Sequence, residues 1–431
     1  MTTTKNNEHK KLNFSSEREQ SQACLNSAEH EKNQGRKVLN VPTLRFPEFQ
    51  GEWEEERLAD IADLYKGTGI SKDQLSDDGE PCILYGELYT KYKSETIGEV
   101  ISKTNIDNTK LVRSKANDVI IPCSGETAED IATARCVLNG NILLGGDLNI
   151  IRLHGYDGAF MSYQLNGRRK YDIAKVAQGV SVVHLYGEHL KGVKTINPCL
   201  EEQKEIAKLL SLLDERIATQ NKIIDKLQSL IKGINQRVFM NSGTNYKLGE
   251  ICEIRNGYSG SQHLSKKGLK VSRIETISGH KVNMERVGYV APFESSENYR
   301  LQVGDILFSN INSVEYIGNT AFIDKDYDLY HGMNLLRLTP NNMVVIPFYL
   351  YLLLNTNRML NRFKTVCNKA VSQASINQTE LGKTVVQIPD INAQKQICEL
   401  YQALYDKLES EKYANSLFQK QKQYLLRQMF I

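Results

Sequence analysis

Pro198-Cys199-Leu200-Glu201-Glu202-Gln203-Lys204-Glu205-Ile206 and Pro389-Asp390-Ile391-Asn392-Ala393-Gln394-Lys395-Gln396-Ile397 are the two stretches from which the fold can be read. They keep Pro, Gln and Ile at one spacing, 191 residues apart, and each opens a long segment of helical periodicity. From Val180 onward the offset of 191 holds without a gap, so Val180-Ser181 falls on Val371-Ser372 and Phe239 on Phe430. Chance similarity does not keep register that long. Upstream, Leu58-Ala59-Asp60-Ile61 followed by Gly67 recurs as Leu248-Gly249-Glu250-Ile251 followed by Gly257. Asn117-Asp118-Val119-Ile120 recurs as Gly304-Asp305-Ile306-Leu307, and the stretch from Asn149 to Arg152-Leu153 as that from Asn334 to Arg337-Leu338. The chain is a tandem duplication, 53–240 and 246–431.

The segment after Pro198 alternates steps of four and three through Ile206, Leu210, Leu213, Ile217, Gln220, Ile224, Leu227, Ile231, Ile234 and Val238, a coiled-coil seam of more than four heptads. The second copy runs through Ile397, Tyr401, Leu404, Leu408, Glu411, Asn415, Phe418, Lys422, Leu425 and Met429, and is interrupted by Glu411, Asn415 and Lys422. A helix of ~38 residues is roughly 57 Å long, more than a small domain. Each helix could lie on a globular core, but its stripe is better covered by the other helix. The first leads from globule one to globule two and the second must return, so the pairing is antiparallel, with the polar seam residues as register pins.

The ~145 residues before each helix are short β-branched or aromatic runs broken by Gly, Asn and Asp, such as Asp118-Val119-Ile120-Ile121 and Asp305-Ile306-Leu307-Phe308. Pro347 to Phe363 reads as helical. The fold class is therefore α/β (α+β) globular domains in tandem, each followed by a long helix. The expected divisions are a disordered tail 1–40, a first globule 41–198, a helix 199–240, a second globule 246–389 and a helix 390–431. Leu44, Phe46, Phe49 and Trp53 supply the first apolar anchors.

Of 431 residues, 40% are apolar and 24% charged, an ordinary composition for a folded multidomain chain. Lys plus Arg number 54 against 51 Asp plus Glu, a net charge of +3, which excludes a protein covered in positive charge but not a local basic groove such as Lys91-Tyr92-Lys93. The eight cysteines lie at least 13 residues apart, so none has metal-knuckle spacing, and buried thiols in a reducing, cytoplasmic compartment are expected. The longest apolar run, Met343 to Leu354, is 12 residues, too short to cross a bilayer.

Catalytic motifs fail on inspection. Asp63-Leu64-Tyr65-Lys66-Gly67-Thr68-Gly69 resembles a methyltransferase cofactor loop, but its counterpart, Glu253 to Ser259, loses the aromatic residue and the second glycine. The glycine both copies keep fits a turn that approaches a ligand closely. Gly382-Lys383-Thr384 has Asn377 where a phosphate loop needs its first glycine. No HExxH, metal ligand set or catalytic pair emerges, and no cofactor is expected on this chain. What remains are polar and aromatic loops, repeated in position but different in letters. In the first copy these are Lys66, Thr68, Lys72, Tyr85, Tyr89, Lys91, Lys93, Ser124, Arg135, Ser181, His184 and Tyr186. In the second they are Tyr258, Ser259, Gln262, Lys266, Arg273, Asn310, Asn312, Lys369, Ser372, Gln373, Ser375 and Asn377. Arg, Asn, Gln, Lys and Ser are the side chains that read base edges and hold phosphates, so the set is a candidate surface for double-stranded DNA.

The chain resembles the specificity subunits of type I restriction–modification enzymes. The carriers are Val41-Pro42-Thr43-Leu44-Arg45-Phe46-Pro47-Glu48-Phe49 with Trp53, the two Leu-x-x-Ile…Gly starts, and above all the two Pro-x-x-x-x-Gln-x-x-Ile helix openings. The resemblance implies two target-recognition domains that each read half of a split DNA target, with the helices setting the spacing between halves. It also implies two methyltransferase subunits carrying S-adenosylmethionine and methylating adenine. Motor-nuclease subunits would use ATP and Mg. A duplicated coiled-coil scaffold with no DNA role is the alternative.

Overall fold

The structure, a computed structural model, describes residues 40–107, 109–179, 182–239, 243–262, 267–369 and 373–431. The expected tail lies outside them except for Asn40. Two compact units emerge, one made of residues up to Ile217 together with Phe418–Ile431, the other of Ala218–Leu417. The long helices are Leu200–Val238 and Ile391–Gln428, so each unit holds one globule and a stretch of both helices.

In the first unit five strands lie in the order Ala62–Lys66, Leu148–Leu153, Asp118–Pro122, Arg135–Val137, Thr96–Ile97, antiparallel except for the last pair. The central strands are apolar on both faces because both faces are covered. Val119, Ile121 and Ile151 meet Trp53, Phe160 and Tyr163 on one side, and Ile120, Ile150 and Val137 meet Ile83, Leu88 and Tyr92 on the other. Of the expected first anchors, Trp53 is buried and Phe46 packs on the same core, but Leu44 is exposed. Arg45 does the anchoring instead, with its Nε and Nη2 each 2.7 Å from the buried carboxylate of Glu202.

In the second unit four antiparallel strands lie in the order Cys252–Asn256, Leu335–Pro340, Ile306–Ser309, Thr320–Phe322. The helix expected from Pro347 to Phe363 is two, Pro347–Leu354 and Asn357–Val366. Thr356 interrupts it because its hydroxyl accepts from the Met359 amide and caps the second helix, while Asn355 turns aside to donate to Thr320 at 2.6 Å. The repeat alignment of Asn149–Leu153 with Asn334–Leu338 is also corrected. Asp118 is the neighbour of Val119, which pairs with Ile151, whereas Ile306, next to Asp305, pairs with Leu338. The register equivalent of Arg152 is thus Thr339, two residues further on. A slip of two preserves the in–out alternation of a strand, so side-chain pattern alone cannot detect it.

The repeated Pro-x-x-x-x-Gln motif has a local physical basis. Gln203 Nε2 donates to the Pro198 carbonyl at 2.8 Å, and its Oε1 accepts the Asp157 amide at 2.9 Å, tying the helix start to the turn before helix Gly158–Asn166. Gln394 repeats this, donating to Pro389 at 2.9 Å and Val344 at 3.1 Å and accepting from the Ile346 amide at 2.8 Å. Both glutamines are almost wholly buried, so each bond is made without competition from water.

Within each unit the two long helices run antiparallel. In the first, Asp214 pairs with Lys422, and the Arg216 guanidinium lies 4.6 Å over the Phe418 ring. In the second, Gln220 donates to Glu411, Asn415 to Asn221 at 2.9 Å, and Tyr401 to Asn235 at 2.8 Å. As numbers rise on one helix they fall on the other. Gln220, Glu411, Asn415 and Lys422 all find partners, as register pins must. The helix ends also lie on globular cores. Ile206, Leu210, Leu425, Met429 and Phe430 join the core of the first unit, and Ile231, Tyr401 and Leu408 that of the second, where Ile224, Leu227, Ile397 and Leu404 pack. Leu213 is buried and Ile217 half-buried. Helix pairing and docking on a globule are combined, because each unit brings its own apolar surface to the stripe.

Candidate nucleic-acid interface

A small sheet in each unit gathers the polar candidates. In the second unit Ile311–Asn312, Ala374–Ser375 and Asn368–Lys369 form three antiparallel strands. They bring Asn310, Asn312, Lys369, Gln373 and Ser375 together, with Lys369 and Gln373 exposed. In the first unit Ser124–Gly125 pairs with Val183–His184, and Gln178 bridges to His184. Val183–His184 and Ala374–Ser375 are 191 residues apart, as are Gln178 and Lys369, so the two sheets are repeats of one another. The exposed His184 and Tyr186 rings stack 6.1 Å apart. Asn312 donates to the Ser309 hydroxyl at 3.1 Å, and the buried Asn310 has an Oδ1 without a hydrogen-bond partner. Ser181, Lys266 and Ser372 lie outside the described residues.

A second group surrounds Gly67. Lys66, Thr68 and Lys72 are exposed, with Lys66 Nζ 3.8 Å from Asp147, and Tyr85 is exposed as well. The reason for the glycine is different from that expected. A Cβ at Gly67 would collide with the carbonyls of Leu144 and Gly145, and one at Gly257 with the carbonyl of Gly332. The glycines let backbone meet backbone rather than ligand.

Several candidates are engaged within the protein. Arg135 donates to the carbonyls of Tyr92 (3.2 Å) and Ala134 (3.0 Å), and burial pushes its pKa down against the pull of Glu95 and Asp214. It is half-buried, with its Nε and Nη1 taken by backbone carbonyls. The Lys91-Tyr92-Lys93 cluster splits for the same kind of reason. Lys91 is held by Glu87 at 2.7 Å, Tyr92 is buried, and Lys93 donates to the Tyr89 carbonyl at 2.7 Å. The Tyr89 hydroxyl donates to the Ser124 carbonyl at 3.2 Å. In the second unit Tyr258 stacks on Phe293 with ring centroids 3.9 Å apart. Asn377 caps a helix by accepting from the Glu380 amide, and Arg273 sits 3.6 Å from Glu275. Ser259 is exposed and Gln262 half-buried beside Gly288. Cys199 is exposed, unlike the buried Cys82, Cys123, Cys136, Cys252 and Cys367.

The sequence profile of the type I restriction modification DNA specificity domain matches residues 50–229 and 242–416, once over each repeat. The chain belongs to this family. Over its length it is similar to the MjaVIII specificity subunit of Methanocaldococcus jannaschii, 24% identical across 413 residues, 89% of this chain and 92% of that protein. A shorter stretch is 44% identical over 158 residues to a protein of the same organism provisionally described as the MjaX specificity subunit, and spans 36% of this chain and 37% of that one. Among solved structures, the S subunit of a type I restriction–modification system from M. genitalium shares the fold with a TM-score of 0.60 at 17% identity, over 91% of this chain and 99% of that one. A chain from a study of type I system assembly and conformational transition matches with a TM-score of 0.54, also at 17% identity, over 87% and 96%.

In this specificity chain the feature that sequence reading missed is a buried ion cluster in the first unit. Lys422 Nζ lies 2.5 Å from Glu95 and 2.6 Å from Asp214, and the Tyr163 hydroxyl donates to Asp214 at 2.8 Å. All three charged side chains are at most 15% exposed. Burial raises the pKa of Glu95, and Lys422 opposes that rise. The visible signal was Lys422 in an apolar seam; its partner Glu95, more than 300 residues away in the chain, carried none.

Proposed function

We propose that this chain is the DNA-addressing subunit of a type I restriction–modification complex, with each globule reading one half of a split target in double-stranded DNA. The observation that carries the reading is the pair of repeat-related small sheets, which share a framework but present different side chains: Ser124, Gln178 and His184 in one, Asn312, Lys369 and Ser375 in the other. Two readers of different half-sites need a common scaffold and different letters. The antiparallel helices set the spacing between half-sites.

Catalysis falls to partners. Outside the seam the long helices expose Leu209, Leu212, Ile223 and Leu230 on the first and Leu400, Tyr413, Leu417 and Tyr424 on the second. Apolar side chains in such number on helix faces suit the docking of partner helices. We assign them to two methyltransferase subunits, which bring S-adenosylmethionine and the adenine chemistry, while motor-nuclease subunits bring ATP and Mg. The complex works in the cytoplasm. Among the described residues no helix is long and apolar enough to cross a membrane.

The test is sequencing of methylated bases in cells that express this chain with its methyltransferase partner, beside electrophoretic shifts of genomic fragments by the same complex. One new bipartite methylated motif, retained selectively in the shift, is expected. A complex with no sequence preference and no new motif would leave the scaffold alternative standing.

A further inference from the structure

Arg255 and Arg337 stand directly opposite one another on neighbouring antiparallel strands of the second unit. Their neighbours Ile254, Leu336 and Leu338 face the core, so alternation puts both arginines on the other face. Like charges opposed across a sheet are unfavourable. Arg255 is half exposed and held by Glu253, with Nε 2.6 Å and Nη2 2.5 Å from its carboxylate. Arg337 is only 7% exposed. Its Nη1 and Nη2 donate to the carbonyls of Arg300 (3.1 Å) and Asn298 (3.2 Å), and its Nε finds no acceptor. Neutral carbonyls satisfy donors but leave the charge. Glu253 pairs with Arg255, and among the described ion pairs Arg337 has no carboxylate of its own; a buried cation without an ion-pair partner is disfavoured unless an anion completes it.

Both arginines line an open cavity of about 430 Å³, with Asn256, Asn298, Tyr299 and Gln378 among its polar walls. The first unit shows what a closed version looks like. By strand register the equivalents of Arg255 and Arg337 there are Tyr65 and Ile150, which face each other. The arginine beside them, Arg152, is bound by Asp118 at 2.9 and 2.7 Å and lies over the Tyr65 ring. The second unit keeps that carboxylate as Asp305, but it is taken by the Thr339 hydroxyl at 2.6 Å and the Gln302 amide at 2.8 Å.

We infer that this cavity is a phosphate-binding pocket, its ligand a phosphate or phosphodiester group held by the Arg255 and Arg337 guanidiniums. The planar fork of arginine suits that geometry. Resting on the DNA reading above, the ligand is a backbone phosphate of the target duplex, so the pocket fixes position and not sequence.

The test uses the full chain with its methyltransferase partner, and compares wild type, Arg255→Gln and Arg337→Lys on target and unrelated duplexes between 50 and 200 mM salt. Loss of one phosphate contact lowers the slope of log K against log salt by about 0.9. Arg255→Gln should show that decrease equally on both duplexes, and Arg337→Lys, which keeps the charge, should show less. A second arm titrates inorganic phosphate against chloride of equal ionic strength and follows thermal stability, where wild type should gain and Arg255→Gln should not. Because Arg337 holds a loop, the half-exposed Arg255 is the variant on which the outcome rests. A response to inorganic phosphate with an unchanged salt slope overturns the DNA source in favour of a free phosphate ligand. No response in either arm overturns the pocket. Absence of any sequence-selective complex in wild type, with the phosphate response intact, overturns the DNA reading and leaves the pocket.

Discussion

Replacing Lys422 by Met would leave Glu95 and Asp214 facing each other in the first unit without their ion-pair partner, with Arg135 acting on both at longer range. Removing one partner of a buried ion pair costs about 3–5 kcal/mol. The loss has a ceiling, because one carboxylate can take a proton instead. At pH 7 protonating a glutamate of ordinary pKa 4.5 costs about 3 kcal/mol at 1.36 kcal/mol per unit. At pH 5 the same step costs less than about 1 kcal/mol. The sign follows from Glu95, whose pKa burial already raises and Lys422 opposes. Without Lys422 it rises further, and a group with a raised folded pKa gives stability that is present below 4.5 and lost as pH climbs toward the folded value. The variant should therefore be near wild type at pH 5 and about 3 kcal/mol weaker at pH 7. That is a drop in Tm of roughly 6–12 °C for a unit of this size. Trp53, the one tryptophan of the chain, is 2% exposed in the core of the first unit, so its fluorescence reports that unit's unfolding. The double variant Glu95→Gln/Lys422→Met should lose most of the pH dependence. A deficit under about 1 kcal/mol at pH 7, or one equal at both pH values, refutes the cluster as described.

Gln203→Ala should leave the Asp157 amide and Pro198 carbonyl unpaired, and Gln394→Ala the Ile346 amide and two carbonyls, each costing about 1–3 kcal/mol in urea unfolding. Losses of a few tenths would mean that the motif is not the staple of the helix start. Deleting one heptad from each long helix, 218–224 with 409–415 so that their antiparallel register survives, removes about 10 Å of helix. Methylated-base sequencing should then return the same half-sites with a spacer changed by about three base pairs, at 3.4 Å per pair. An unchanged spacer would count against the helices as the ruler.

Much of the architecture was legible because its signals are local or periodic. The two Pro-x-x-x-x-Gln openings, the seam from Ile206 to Val238 and the offset of 191 residues implied duplicated globules and an antiparallel pair before any coordinates. The candidate surface was legible only in part. Ser124, His184, Asn312, Lys369 and Ser375 do gather on small sheets. Arg135, Lys91 and Asn377 have the right chemistry for DNA and also bond within the protein, Lys91 and Asn377 from exposed positions. Residue type states what a side chain can bond, not which carbonyl or carboxylate the fold will bring to it.

What the sequence by itself determined is the repeat, the helices and their direction of pairing, since periodicity and equal spacing survive without knowledge of contacts. Strand register, the break at Thr356 and the reason for Gly67 were decided by tertiary structure. So were the meeting of Glu95, Asp214 and Lys422 and the opposed pair of Arg255 and Arg337. Each depends on segments far apart in the chain being pressed together. A burial cost or an unbalanced charge exists only once that has happened.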